Sequence, residues 1–148
     1  MKAVLQRVKK ASVTVDKKEI SGIKQGLFVL LGIGKDDSDE DIVWLANKII
    51  NLRIFEDDEG KLNRSLLDIS GEILLVSQFT LFADCEKGRR PSFDNAMPPE
   101  YAKEMFDKFF QYLKSQNVKV EQGIFKAHME ITLTNYGPVT IILDSKDK

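Results

Sequence analysis

Apolar and polar residues alternate at the start of the chain, where Ala11, Val13 and Val15 are interleaved with Ser12, Thr14 and Asp16. A period of two sends the two sets to opposite faces, so residues 2–16 read as a long, half-buried strand. A turn near Asp16-Lys17-Lys18 and a short partner strand over 19–24 follow. Leu27-Phe28-Val29-Leu30-Leu31 has no alternation; such a run predicts a strand covered on both faces, here bracketed by Gly26, Gly32 and Gly34. The period then changes. Ile42, Leu45, Ala46 and Ile49 recur at i, i+3, i+4 and i+7, one stripe of a helix. Ser38 opens it, with Asp41 three residues on, in the form of a capping box. Asp57-Asp58-Glu59-Gly60 reads as a turn. Ile73-Leu74-Leu75-Val76 is a second covered strand, running into Ser77-Gln78-Phe79-Thr80-Leu81. Residues 84–98, with Gly88, Pro91 and Pro98, read as loop. Pro99 suits the first turn of a second helix, whose stripe is Ala102, Met105, Phe106, Phe109 and Leu113. Strands over 118–124 and 129–135 come next. Proline has no N–H for a ladder, so Gly137-Pro138 is expected to break the chain there and leave a last strand over 139–143. The sum is an α+β fold over residues 1–148 as a single domain. It has six to eight strands, mostly antiparallel, in mixed sheets that make a barrel-like or sandwich core, with two main helices.

Composition narrows the function. A length of 148 residues suits one core. A net charge of −1 argues against a general nucleic-acid binder and confines any RNA contact to a local patch. Cys85 is the only cysteine, so no internal disulfide forms, which fits a reducing compartment. The segment Met1–Arg7 lacks the apolar core of a signal peptide. No run approaches the ~18 uncharged apolar residues of a membrane span. Cytoplasmic localisation, with no membrane or DNA partner, is the expectation.

Candidate chemistry is sparse. A serine triad needs a histidine oriented by a carboxylate, and His128 is the only histidine. No Gly-x-Ser-x-Gly elbow is present. Ser77 and Thr80 end a buried strand, so they read either as active-site hydroxyls or as partners of the backbone at a strand end. Cys85 lies near Lys87, Arg89 and Arg90, cations that favour a thiolate, but a thiol in a loop needs no role. With no Cys-x-x-Cys and no paired histidine, a metal site has no support. Lys87-Gly88-Arg89-Arg90-Pro91-Ser92-Phe93 combines three cations, a glycine and an aromatic. It is a candidate phosphate-binding loop, or a solvated one.

Two segments change this picture. Ser77-Gln78-Phe79-Thr80-Leu81 and Asn135-Tyr136-Gly137-Pro138-Val139-Thr140 resemble the two signature motifs of D-aminoacyl-tRNA deacylases. The resemblance extends to Gln6-Arg7-Val8, Ala11-Ser12-Val13, Arg53-Ile54-Phe55, Arg90-Pro91-Ser92-Phe93 and Gly123-x-Phe125-x-Ala127-x-Met129. One position departs: Lys126 stands where many relatives carry a small residue. A long cation there either alters substrate approach or points to solvent.

The resemblance implies a homodimer with two active sites at the subunit interface and no metal or organic cofactor. Gly137-Pro138 would be a cis peptide reaching into the partner's pocket, which Ser77, Gln78, Phe79 and Thr80 line. Arg7 would hold the Gly-Pro segment, and the Gln6-Arg7 match favours cis. Phe125, Ala127 and Met129 would border the site, with Asn135 in the second motif. Such an enzyme hydrolyses the ester of D-aminoacyl-tRNA at the 3′ acceptor end. It must accept many D side chains and refuse L ones, so chirality is read at the α-carbon by a backbone wall. Glycine has no Cβ to exclude, so some glycyl-tRNA cleavage is expected. An aminoacyl ester is already activated, so orientation and oxyanion stabilisation suffice. The N–H groups of Phe79 and Thr80 are the oxyanion candidates. Gln78 would orient the ribose or ester. A water assisted by the neighbouring ribose hydroxyl, or Thr80, attacks. Lys87, Arg89 and Arg90 are candidates for phosphates, and Phe93 for a stacked base. Three rivals stand beside this reading: a tRNA-end or nucleotide binder without turnover, a dimeric interaction protein, and a proofreader of one L-amino acid with a trans Gly-Pro step.

Overall fold

A computed structural model describes residues Met1 to Lys148. Strand β1 (Lys2–Val15) organises the fold because both of its edges are used along most of its length. On one edge its first half pairs antiparallel with β3 (Gly26–Gly32), from Lys2 opposite Gly32 to Val8 opposite Gly26. On the same edge its second half pairs with β2 (Lys18–Ile23). Helix α1 (Asp39–Asn51) follows, then a small hairpin of β4 (Phe55–Glu56) and β5 (Leu62–Arg64). β6 (Glu72–Ser77) lies parallel to β3. A 3-10 turn over Phe79–Phe82 and helix α2 (Pro99–Ser115) lead to β7 (Lys119–Gln122), parallel to β6. The last strand, β8 (Glu130–Asp144), covers the other edge of β1 from Thr14 back to Lys2. The sheet is therefore mixed and six-stranded.

The unbroken apolar runs have the cause foreseen for them. Leu27, Val29 and Leu31 of β3, with Ile73 and Leu75 of β6, face the stripes of both helices in one core. Phe28, Leu74 and Val76, on the opposite face, join Val8, Ala11, Val13 and Ile23 in a second core. Alternation alone would keep one side of β1 on one core. Instead Arg7 and Val8 are both buried, and the β1–β8 register slips between Gln6 and Val8 and again between Val8 and Lys10. The slip turns the inward side of β1 from the helix core to the second core. The sheet folds back on itself, bringing β2 against β6 and β7, and becomes barrel-like.

Three boundaries differ from the sequence reading. The β4–β5 hairpin is too short to show any period. The strand read over 118–124 stops at Gln122, because Gly123 and the turn after it leave the sheet. Gly137-Pro138 does not divide the last strand in two. β8 runs through it, and both halves pair with β1: Asn135 stands opposite Val8, and Thr140 opposite Gln6. Tyr136 to Val139 thus bulge out across from Arg7 alone, and the missing proline N–H falls where no ladder bond is required.

Candidate active site

β6 sets the first motif. Its ladder with β3 continues one residue past the strand, where the Gln78 N–H donates to the Leu31 carbonyl at 2.8 Å. β3 then ends, and the chain coils into the Phe79–Phe82 turn. Gly32 and Gly34 make the seat for that turn. A Cβ on Gly32 would lie 3.0 Å from the Gln78 carbonyl oxygen, and one on Gly34 would lie 2.7 Å from the Phe82 ring. The turn exposes Phe79 and Thr80, and the Gln78 amide donates to the Thr80 hydroxyl. The first N–H groups of such a turn have no partner within it.

Beside the turn lies a pocket of about 570 Å³. Leu31, Ile33 and Val76 form its floor, Ser77, Gln78 and Phe79 one wall, and Phe125, Lys126, Ala127 and Met129 another. Phe93 and Met97 close the rim. Twelve of the eighteen lining residues are hydrophobic, so an ester bound there would sit in a largely apolar setting. Phe93 meets Phe79 edge-on, with centroids 5.0 Å apart at 69°. Phe125 is held from below by Phe106 of α2, at 6.0 Å. Met129 lies over Gly123, where a Cβ would come within 2.6 Å of its sulfur.

The second motif is built as firmly but elsewhere. The Gly137-Pro138 peptide is cis, and both residues are exposed. Arg7 braces the bulge from beneath although it is only 3% exposed. Its Nε donates to the Tyr136 carbonyl at 2.7 Å, Nη1 to the Ile54 carbonyl at 2.9 Å, and Nη2 meets a Glu56 carboxylate oxygen at 3.4 Å. Asn135 braces it from within: its side-chain oxygen accepts from the Val139 N–H at 2.9 Å, and its amide reaches the Val139 carbonyl and Thr140 hydroxyl, each at 3.3 Å. Gly137 has φ +142°, and a Cβ there would stand 2.9 Å from Arg7 Nη2 and from Val139 Cγ2.

The fold brings Ser77, Gln78, Phe79, Phe93, Phe125, Ala127 and Met129 together, with Thr80 one residue beyond the wall. It does not bring Arg7, Asn135, Gly137 and Pro138 to them. Three strand spacings (β8–β1–β3–β6) and four residues of register separate Gly137-Pro138 from Ser77. That is roughly 20 Å along the sheet. Lys87, Arg89 and Arg90 do not line the pocket; they are exposed on a loop closed by the Asp84–Ser92 backbone pair. Cys85 is exposed on the same loop, and His128 lines the pocket as an exposed side chain. No three His, Cys, Asp or Glu side chains converge to hold a metal ion. Sequence reasoning missed Ile33, Ala96 and Met97 in the pocket and the carbonyl of Ile54 beneath the bulge. Met97, an apolar residue between polar loop and proline, was the only local signal for any of them.

Known proteins match this chain from end to end. A family model described as D-Tyr-tRNA(Tyr) deacylase matches residues 4–144. A D-aminoacyl-tRNA deacylase of Thermosipho africanus is 59% identical over 146 residues, covering 99% of this chain and 98% of the relative. One from Aquifex aeolicus is 56% identical over 147 residues, covering 99% of each. Among solved structures, a c-Myc DNA unwinding element binding protein superposes with a TM-score of 0.92 at 44% identity, covering 97% of this chain and 98% of that one. A probable eukaryotic D-amino acid tRNA deacylase, 18% identical, shares the fold with a TM-score of 0.84 over 96% of this chain and 97% of its own. The strand-end pocket, the braced Gly-Pro bulge and a match of sequence and fold from end to end carry one conclusion: the chain belongs to the D-Tyr-tRNA(Tyr) deacylase family.

Proposed function

We propose that this protein hydrolyses the ester of D-aminoacyl-tRNA in the cytoplasm, releasing tRNA and the D-amino acid, as a homodimer that needs no cofactor. The observation that carries the dimer is the separation of the two motifs. A braced backbone bulge, exposed at its tip, stands about 20 Å along the sheet from the Ser77 wall of its own chain's apolar pocket. Across a two-fold axis, each bulge meets the partner's pocket, and two equivalent sites result.

Within such a site the amino acid's α-carbon lies between the Ser77–Thr80 wall and the partner's Gly137-Pro138. The ester is anchored by the RNA and the α-ammonium by carbonyl oxygens of the bulge. Two substituent positions remain on the α-carbon. One opens to solvent and takes a D side chain of any size; the other faces backbone and rejects an L side chain whatever its identity. Glycine carries neither and is cleaved too. The wall is made of main chain and glycine, which suits a filter that must ignore side-chain identity.

The chemistry is orientation plus oxyanion stabilisation. The N–H groups of Phe79 and Thr80 point the free end of the turn at the developing oxyanion, a contribution of about 10²–10³ in rate per donor. The Gln78 amide already donates to the Thr80 hydroxyl, and an amide is no base. A water activated by the adjacent ribose hydroxyl therefore suits the site better than Thr80 as nucleophile. The acceptor end stacks on Phe93, which its contact with Phe79 holds at the rim, and its phosphates meet Lys87, Arg89 or Arg90. A net charge of −1 favours such an end contact over tracking a duplex.

The decisive assay compares D-tyrosyl-tRNA, L-tyrosyl-tRNA and glycyl-tRNA, with and without chelator. Loss of the D and glycyl esters at rates indifferent to chelator is the expected result. Equal cleavage of D and L esters would overturn the filter. No turnover by folded protein would leave a tRNA-end binder as the better account.

A further inference from the structure

Lys126 is the only charged side chain among the residues lining the pocket. It sits at the third position of the turn Ile124-Phe125-Lys126-Ala127, closed by the Ala127 N–H on the Ile124 carbonyl at 3.1 Å. Its φ is +64°, a backbone region that glycine occupies freely and lysine does not. The residues on either side, Phe125 and Ala127, are half-buried against the pocket, while Lys126 is exposed at its mouth. No carboxylate neutralises it: none of the ten ion pairs of the chain includes Lys126. A lone cation is thus held at the rim of an apolar pocket, in a conformation its residue type disfavours.

The substrate has two charged ends that this ammonium would meet differently. The α-ammonium of the amino acid repels it, so a bound substrate would settle with its amino acid turned away from Lys126. The ribose on the other side of the ester continues into a phosphodiester. We propose that Lys126 binds the phosphodiester nearest the acylated ribose and so selects esters carried on a polynucleotide over free aminoacyl nucleosides. This rests on the pocket being the deacylation site.

A phosphate contact weakens binding rather than chemistry and steepens salt dependence by about one charge. The test uses Lys126→Gly, which relaxes the turn, and Lys126→Arg, which keeps the charge. Each is assayed on D-tyrosyl-tRNA and on 3′-O-D-tyrosyl-adenosine, which has no phosphate. For Lys126→Gly the expected result is a KM for the tRNA ester raised about five- to tenfold. Its kcat should stay within about twofold, and the slope of log(kcat/KM) against log salt should shrink by about 0.7–0.9. The adenosine ester should be cleaved as before, Lys126→Arg should restore KM and slope, and the melting temperature of Lys126→Gly should not fall. Equal losses on both esters would overturn the proposal in favour of a structural role. An unchanged KM and salt slope on the tRNA ester would overturn it in favour of a solvent-facing lysine. Ala96→Phe, which fills the pocket from a loop, tests the underlying assignment separately. If that folded variant cleaves both esters normally, the pocket is not the site; if it cleaves neither while Lys126→Gly is neutral, only the role of Lys126 fails.

Discussion

At the scale of single residues, the site is a matter of main-chain groups placed by side chains. Phe79 contributes its ring to the pocket, but its N–H is the group that would meet the oxyanion. Those two functions separate in one substitution. Phe79 is the first residue of the 3-10 turn, where proline is tolerated because its missing N–H has no partner in the turn. Gln78 before it has φ −146° and ψ 83°, outside the helical region that a following proline disfavours. Phe79→Pro should therefore fold, and kcat on D-tyrosyl-tRNA should fall by about 10²–10³; Phe79→Ala, which keeps the N–H, should lose far less. Single-turnover rates of the two variants make the comparison, and similar losses would move the oxyanion hole elsewhere. Apart from the resemblance, none of this was visible as a catalytic signature. The chain has one histidine and no elbow serine, and a donor that every residue but proline possesses leaves no mark of its own in a sequence. Arg7 was legible only through the resemblance, because an arginine in an alternating strand gives no hint that it will be buried and will reach across to Tyr136 and Ile54.

At the scale of elements, legibility followed period and length. Both helices and the two covered strands announced themselves by pattern, since burying a stripe or a whole strand fixes which positions must be apolar. The β4–β5 hairpin and the 3-10 turn are shorter than any period, and the β8 bulge depends on register with β1, which local sequence does not encode. Helix α1 shows how a foreseen cap gains tertiary work. The Asp41 carboxylate accepts from the Ser38 N–H at 2.8 Å and the Ser38 hydroxyl at 3.1 Å, and it also meets Lys148 at 3.0 Å. Burial pushes the Asp41 carboxyl up, but the Ser38 N–H, the hydroxyls of Ser145 and Ser38, and Lys148 outweigh it and hold the group below the ordinary carboxylate range. A depressed folded pKa means that unfolding takes up a proton in acid. The stabilisation is complete above the unfolded value of about 3.9 and is lost as pH falls below it. Asp41→Asn should cost about 2 kcal/mol at pH 7, and the gap between variant and wild type should begin to narrow below about pH 4, closing only as pH falls through the lower folded value. Urea titrations from pH 7 down to pH 3 measure this; a constant gap would mean that the charge of Asp41 is not what holds the helix start.

At the scale of the whole molecule, the resemblance implies that the two motifs meet only across a subunit interface, and within one chain they lie far apart. Each segment could be picked out in the sequence, but their distance could not, because it is set by the strand order β8–β1–β3–β6. That distance makes the dimer testable without solving a complex. Gly137→Ala places a Cβ 2.9 Å from Arg7 Nη2 and Val139 Cγ2, at φ +142°, so the bulge must shift. A misplacement of about 1 Å costs about 10² in rate, and the pocket of that variant remains intact. Phe79→Pro has the opposite defect: a normal bulge and a damaged pocket. Each variant alone should be nearly inactive. In a one-to-one mixture that has exchanged subunits, about half the dimers are mixed, and each mixed dimer pairs the sound pocket of one chain with the sound bulge of the other at one of its two sites. Activity should therefore recover to about a quarter of wild type, appearing at the rate of subunit exchange. If each chain instead carried a complete site, every chain in the mixture would still hold one lesion, and no amount of exchange would restore activity. Recovery would then place Gly137-Pro138 in the partner's pocket; its absence, with exchange verified by a mass-tagged subunit, would remove the cross-subunit filter.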